Sequence, residues 1–246
     1  MQNPFFVCPE SPTSQVGLFL FLCLTHYEGI DIIETDSKGH TVMITDLSEE
    51  ILNIYEEADR KILRFQEATG LKCPPGCGSC CVCQEVEATV LEVLPLASEV
   101  FSGQQEDLLY TKIEEQEGKG DRVCILYQPD LQTPGNGRCT YYKVRPLLCR
   151  LFGFAARRNK EGNPELCTCR RLRETSPQEV QKGEKKVRSE FSLPVYQEIS
   201  MRIAVLNPGM GFRRLPLNLA IKSAIEKVYL KREYQNPEVQ ESGVRL

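Results

Sequence analysis

Ile51, Tyr55, Ala58, Ile62 and Phe65 recur at helical intervals along an otherwise charged stretch that ends at Gly70. Asp46 and Glu49 stand at capping-box spacing just ahead of them, so a helix is predicted over roughly residues 47 to 69. Further helical patterns run from Val86 to Leu94, broken at Pro95, and from Gln104 to Glu117. The pattern then changes period. "RVCILYQ" and "RCTYYKV" are β-rich and flank "PDLQTPGNG", a turn-forming stretch, which predicts a hairpin carrying Cys124 and Cys139. Beyond the Gly/Asn/Pro loop at 162 to 164, residues 176 to 233 read as helical, with "NPGMGFRRLP" (207 to 216) as a loop between two helices.

The expected fold class is α+β and mostly α-helical: a small metal-centred domain with a short β-hairpin and a helical C-terminal tail. Residues 1–44, with prolines at 4, 9 and 12 and a β-like "GIDIIETD", read as a poorly organised N-terminal arm. A cysteine-rich domain is expected over 45–175, a helical extension packing on it over 176–234, and a frayed tail over 235–246. With 246 residues and 41% hydrophobic content the chain can bury a substantial core.

No Lys or Arg precedes Lys38, the apolar run "GLFLFLCL" is too short to span a bilayer, and neither the basic n-region nor the small-residue cleavage site of a signal peptide is evident. The expectation is therefore a cytoplasmic protein with no membrane partner, in which clustered thiols stay reduced and serve metal binding or redox chemistry. Of twelve cysteines, Cys8 and Cys23 stand apart and read as unused thiols. The other ten lie between Cys73 and Cys169, five of them in "CPPGCGSCCVC". The two histidines, His26 and His40, fall outside this region, so a site there is built on thiolates. That donor set suits zinc or an iron–sulfur cluster and disfavours magnesium, calcium and the histidine-dependent hydrolases.

Cys77 and Cys80 form one Cys-x2-Cys knuckle, but no second clean knuckle completes a zinc ribbon. Cys80 and Cys81 are adjacent, and the expectation is that their side chains diverge, which leans toward a polynuclear centre or two nearby sites. For Cys83 and Cys169, ligation and a buried spare thiol remain equally open. Residues 137 to 173 hold ten basic residues and two acidic ones, a local +8 within a chain of net −4. Such a shell lowers nearby thiol pKa values and offsets thiolate charge, or else forms a solvated basic face. No nucleic-acid motif accompanies it, so nucleic acid is not an expected partner.

"CPPGCGSCC" followed by "GRCTYYKVRPLLCRLFGF" resembles the CxxCxxCC cysteine-cluster family, the YkgJ-like zinc- or iron-chelating proteins, over roughly residues 73 to 155. The resemblance implies Cys77, Cys80 and Cys81 as counterparts of the first motif, Cys124 of the cysteine before a short strand, and Cys139 and Cys149 of the last segment. Cys73, one position further out than the motif's first cysteine, and Cys167 follow as candidate metal ligands. Arg145 and Arg150 flank Cys149 and are candidates for hydrogen bonding to thiolate or sulfide, or for pairing with carboxylates that hold the fold. Pro146 is expected to fix the turn that aims Cys149 inward.

Three function classes stay open. The first is a metal-binding protein whose zinc or iron–sulfur centre organises the fold. The second, implied by relatives of the family, is an iron–sulfur-dependent S-adenosylmethionine methyltransferase acting on protein lysine, although no Gly-rich cofactor loop follows a strand. The third is a carrier that hands on metal or electrons to a protein partner.

Overall fold

The computed structural model describes residues 44–83, 86–133, 136–189 and 193–235. The expected N-terminal arm, "GIDIIETD", Cys8, Cys23 and the tail past residue 235 lie outside the described residues.

Helix α1 (Ile44–Thr69) buries all five residues of the predicted stripe together with Leu47 and Ile54. It begins ahead of the predicted start, so Asp46 and Glu49 lie within its first turns and do not cap it. A capping box forms instead at Thr89 and Glu92, where the Thr89 Oγ1 accepts from the Glu92 N–H at 3.1 Å.

That cap corrects the predicted helix from Val86. Glu87–Thr89 is a short strand, β1, because Val86 and Ala88 are buried on either side of exposed Glu87 and the segment finds a distant partner. It pairs antiparallel with β6 (Arg214–Pro216), Ala88 opposite Leu215. Helix α2 (Val90–Ser102) then runs through Pro95. A proline inside a helix costs about 3 kcal/mol. Burying Leu91, Val93, Leu94 and Leu96 completely, at about 1.5–3 kcal/mol each, outweighs that cost.

Helix α3 (Glu106–Lys119) starts and ends two residues after its prediction and stops at Gly120, in the left-handed conformation. The hairpin forms, with β2 (Tyr127–Pro129) antiparallel to β3 (Gly137–Cys139) and Tyr127 opposite Cys139. Its strands are shorter than predicted, and Cys124 sits in the turn before β2, its carbonyl accepting from the Tyr127 N–H at 2.9 Å.

A 3₁₀ turn (Tyr142–Val144) leads to the short helix α4 (Leu147–Leu151), and β4 (Ala155–Arg158) pairs with β5 (Pro164–Cys167). Helices α5 (Arg170–Thr175), α6 (Pro177–Ser189) and α7 (Tyr196–Ala204) follow. The predicted loop at 207 to 216 instead contains one helical turn, α8 (Pro208–Gly211), and strand β6. Asn207 nucleates the turn by accepting from the Met210 N–H at 3.1 Å, with Pro208 preset in its first position.

Helix α9 (Leu217–Gln235) packs chiefly on α2 and also on α3, while α1 packs on α2, α4 and α6. Buried residues from α1 through α9 belong to one hydrophobic cluster. Among the described residues the architecture is mostly helical with three two-stranded antiparallel sheets, an α+β fold. No helix among the described residues is long and apolar enough to cross a membrane.

Candidate metal centre

Four segments bring the cysteines together. After α1 the chain enters the loop carrying Cys73, turns at Gly76 (φ +69°), and makes an isolated bridge between Cys77 and Asn136 beside the hairpin. The Gly137 N–H donates to the Gly76 carbonyl at 2.9 Å, and the Cys124 N–H donates to the Cys81 carbonyl at 2.9 Å. Those two bonds fasten the cysteine loop to the hairpin and to the turn before it. The ring of Tyr127 lies against both glycines of the junction. A Cβ added at Gly78 would come within 2.5 Å of it and one at Gly137 within 2.2 Å, so only glycine fits either position.

The fourth cysteine-bearing segment is α4. Arg145 is extended (φ −58°, ψ 143°), as a residue before proline must be, and Pro146 occupies the position ahead of α4. Leu147, Leu148 and Leu151 anchor the helix in the core, and Cys149 joins the wall of a cavity.

That cavity has a volume of about 230 Å³ and is walled by Cys73, Cys77, Cys80, Cys81, Cys124, Cys139 and Cys149. Arg138, Arg145, Tyr142, Leu126 and Leu217 are among its other lining residues, and no imidazole or carboxylate lines it. An adjoining groove of about 580 Å³ shares Cys73, Cys77, Cys80 and Cys149 with the chamber and adds Cys169. Cys167, a candidate from the sequence, is not brought to either space. It sits on β5 opposite Ala155, buried, with its thiol near the Glu165 carbonyl at 4.0 Å. Cys169, two residues on, begins α5 and faces the groove, where Gly153 (φ +89°) leaves room next to its sulfur. Cys83 is buried and lines neither space.

The Cys80 and Cys81 side chains do not diverge: their sulfurs lie 4.0 Å apart. The turn closed by the Cys81 N–H on the Gly78 carbonyl, at 2.9 Å, presents both to the same cavity. The Cys81 thiol is shared between Cys80 and Cys139. This hydrogen bonding, more than burial, pushes Cys81 upward, while it lowers Cys80 and Cys139 to about 7 each, against the opposing effect of burial. Burial pushes Cys124 up to about 12 and raises Cys149 as well.

The two arginines divide their work. Arg145 lies on the cavity wall with its guanidinium 3.8 Å from the Tyr142 ring centroid and 3.9 Å from Asp59, and its charge favours the thiolates of Cys73, Cys80, Cys139 and Cys149. Arg150 is buried and spans the gap between α1 and the 3₁₀ turn. Its Nε donates to the Arg145 carbonyl at 2.9 Å, and its two other nitrogens reach Asp59 and the Lys143 carbonyl. It also lies 4.5 Å from the Tyr55 ring centroid. Arg150 thus aligns the segment that carries Arg145 and Cys149, and Asp59 is a partner that helical periodicity gave no reason to single out. Much of the remaining basic stretch is paired locally: Arg157 with Glu165 at 3.0 Å, Arg158 with Glu198 at 2.8 Å, and Arg170 with Glu174 at 2.7 Å.

The donor set fits a thiophilic ion. In tetrahedral thiolate zinc, a bond length near 2.3 Å sets neighbouring sulfurs about 3.8 Å apart, close to the 4.0 Å between Cys80 and Cys81. Among the described residues, no three Cys, His, Asp or Glu side chains already converge on one point at bonding range. Ligation therefore requires the thiols to draw inward across the chamber.

Comparison with curated proteins and with solved structures returned no significant match. A family model did match, from Lys72, one residue before Cys73, to Arg170, one residue after Cys169. The match encloses every cysteine of the chamber and groove and leaves α1 and the helices beyond α5 outside it. The model that residues 72–170 match is that of the CxxCxxCC family, which carries the description "putative zinc- or iron-chelating domain".

Proposed function

We propose that this protein binds zinc or iron through the thiolates of Cys73, Cys77, Cys80, Cys81, Cys124, Cys139 and Cys149, with Cys169 as a further ligand from the groove. The observation that carries this reading is the convergence of seven cysteines from four separate stretches of chain on one chamber that no imidazole or carboxylate lines. Thiolate-only ligation selects zinc, or iron in the form of an iron–sulfur cluster. Arg145 supplies positive charge at the wall, offsetting the charge of several thiolates, and Arg150 holds Arg145 in place.

The groove favours a centre that exchanges metal or electrons over a sealed structural site. A structural zinc site is closed, whereas four of the chamber's cysteines here also line a space of about 580 Å³.

Elemental analysis and an absorption spectrum of chain purified without oxygen test the reading. Zinc or iron is expected in the wild type and in Cys83→Ser, with loss in Cys80→Ser and Cys149→Ser. Retention of the wild-type metal content in both of the latter would overturn the assignment. Acid-labile sulfide with iron identifies a cluster, and colourless protein with zinc identifies a mononuclear thiolate centre.

A further inference from the structure

One of the residues that fix the turn of Cys124 comes from outside residues 72–170. Asn218, in the first turn of α9, is buried and makes three hydrogen bonds: its Oδ1 accepts from the Ile125 N–H at 3.0 Å, and its Nδ2 donates to the Val123 carbonyl at 2.9 Å and to the Gln116 Oε1 at 3.0 Å. Two of them grip the backbone immediately on either side of Cys124. The Cys124 N–H and carbonyl are meanwhile held by Cys81 and Tyr127. The residue before Asn218, Leu217, lines the thiol chamber and donates its N–H to the Val86 carbonyl at 2.9 Å. Helix α9 is in turn seated in the core, where Ala220, Ile221, Ala224, Ile225 and Val228 are all buried.

A buried amide that spends two of its three bonds on the backbone of one turn, and the third on a side chain of α3, adds little to stability alone, where an apolar residue of similar size would fill the space. Its bonds specify a backbone geometry. A turn carrying one ligand of a thiolate centre needs that definition, because a displaced sulfur leaves the coordination incomplete.

We propose that Asn218 is a positioning residue of the metal centre, acting through Cys124, and that Leu217 closes the chamber, so that the start of α9 completes a site that residues 72–170 do not complete on their own. This rests on the reading of the chamber as the metal site.

The test uses the full chain and compares Asn218→Ala with Val228→Ala, which weakens the packing of α9 without touching Cys124. Both are assayed below their unfolding transitions for metal release to a chromogenic chelator and for the rate of iodoacetamide alkylation at each cysteine, read by mass spectrometry. Asn218→Ala is expected to release metal at least tenfold faster than Val228→Ala, and its metal-free form to alkylate Cys124 several-fold faster with Cys167 unchanged. Asn218→Asp, which keeps the bond from Ile125 and loses the two donated bonds, falls between. Equal release rates and equal Cys124 alkylation in the Ala variants would overturn the proposal. If the wild type holds neither zinc nor iron, the metal assignment fails, and the alkylation comparison still decides whether Asn218 positions Cys124.

Discussion

Replacing Glu92 by Gln should change the pH dependence of folding more than its magnitude at any one pH. The Glu92 side chain is 1% exposed and 3.7 Å from Arg214, which is itself 29% exposed. Its Oε2 is buried without a hydrogen-bond partner. Burial outweighs both Arg214 and the Thr89 N–H and raises the carboxyl from its ordinary 4.5 to about 7. A native pKa above the unfolded one means that between these values the folded chain keeps a proton that the unfolded chain releases. Stability from this group is thus complete below about pH 4.5, declines as pH rises to 7, and is constant above that. At about 1.36 kcal/mol per pH unit of displacement the decline amounts to roughly 3 kcal/mol. The other groups facing Glu92, Tyr55 and Tyr196, are raised above the ordinary tyrosine value, so neither titrates in this window. Urea unfolding of wild type and Glu92→Gln from pH 5 to pH 8 reads the difference directly. The variant should gain on the wild type by up to roughly 3 kcal/mol across that range. Curves that stay parallel would show that Glu92 is ionised throughout and that burial does not dominate its environment.

Arg150→Ala should destabilise the chain by about 3 kcal/mol in urea unfolding, since it leaves the Arg145 and Lys143 carbonyls without their donor and empties the buried space of the guanidinium, and Arg150→Lys should recover little because a single ammonium cannot replace the fork. Gly137→Ala should cost about 1–3 kcal/mol by driving a methyl group into the Tyr127 ring, and the same substitution in a Tyr127→Ala background should cost less than half as much. Cys169→Ser should lower metal content or speed its loss to a chelator, while Cys167→Ser leaves both unchanged, which metal analysis of the two variants checks.

Legibility followed the range of the interactions. The stripe from Ile51 to Phe65 reports contacts that a helix makes with its own periodicity, and all five residues are buried. The hairpin was visible because its two strands lie close together in the chain, although the turn that holds Cys124 was not separable from the strand after it. Val86–Thr89 reads as helix only while β6, more than a hundred residues away, is ignored. Pro95 reads as a break because the burial that outweighs it comes from α9 and α1. In the site, the cysteines that the family resemblance singles out line the chamber, but Cys167 and Cys169 are two residues apart, and the end of β5 sends one into the core and the other to the groove. Asp59 and Asn218 carry no signal at all in the sequence: one is a charged residue on an exposed helix face, the other an amide in a helical tail. Their roles exist only once the chain has closed on itself.

The shared wall between chamber and groove gives the centre a polarity. Cys73, Cys77, Cys80 and Cys149 face both spaces, whereas Cys81, Cys124 and Cys139 line only the chamber. An incoming thiol or chelator travelling along the groove reaches the first group before the second. On the proposed reading of the chamber as a metal site, exchange would begin at the outer sulfurs while the inner three keep hold, so that a hand-over would not pass through a bare ion.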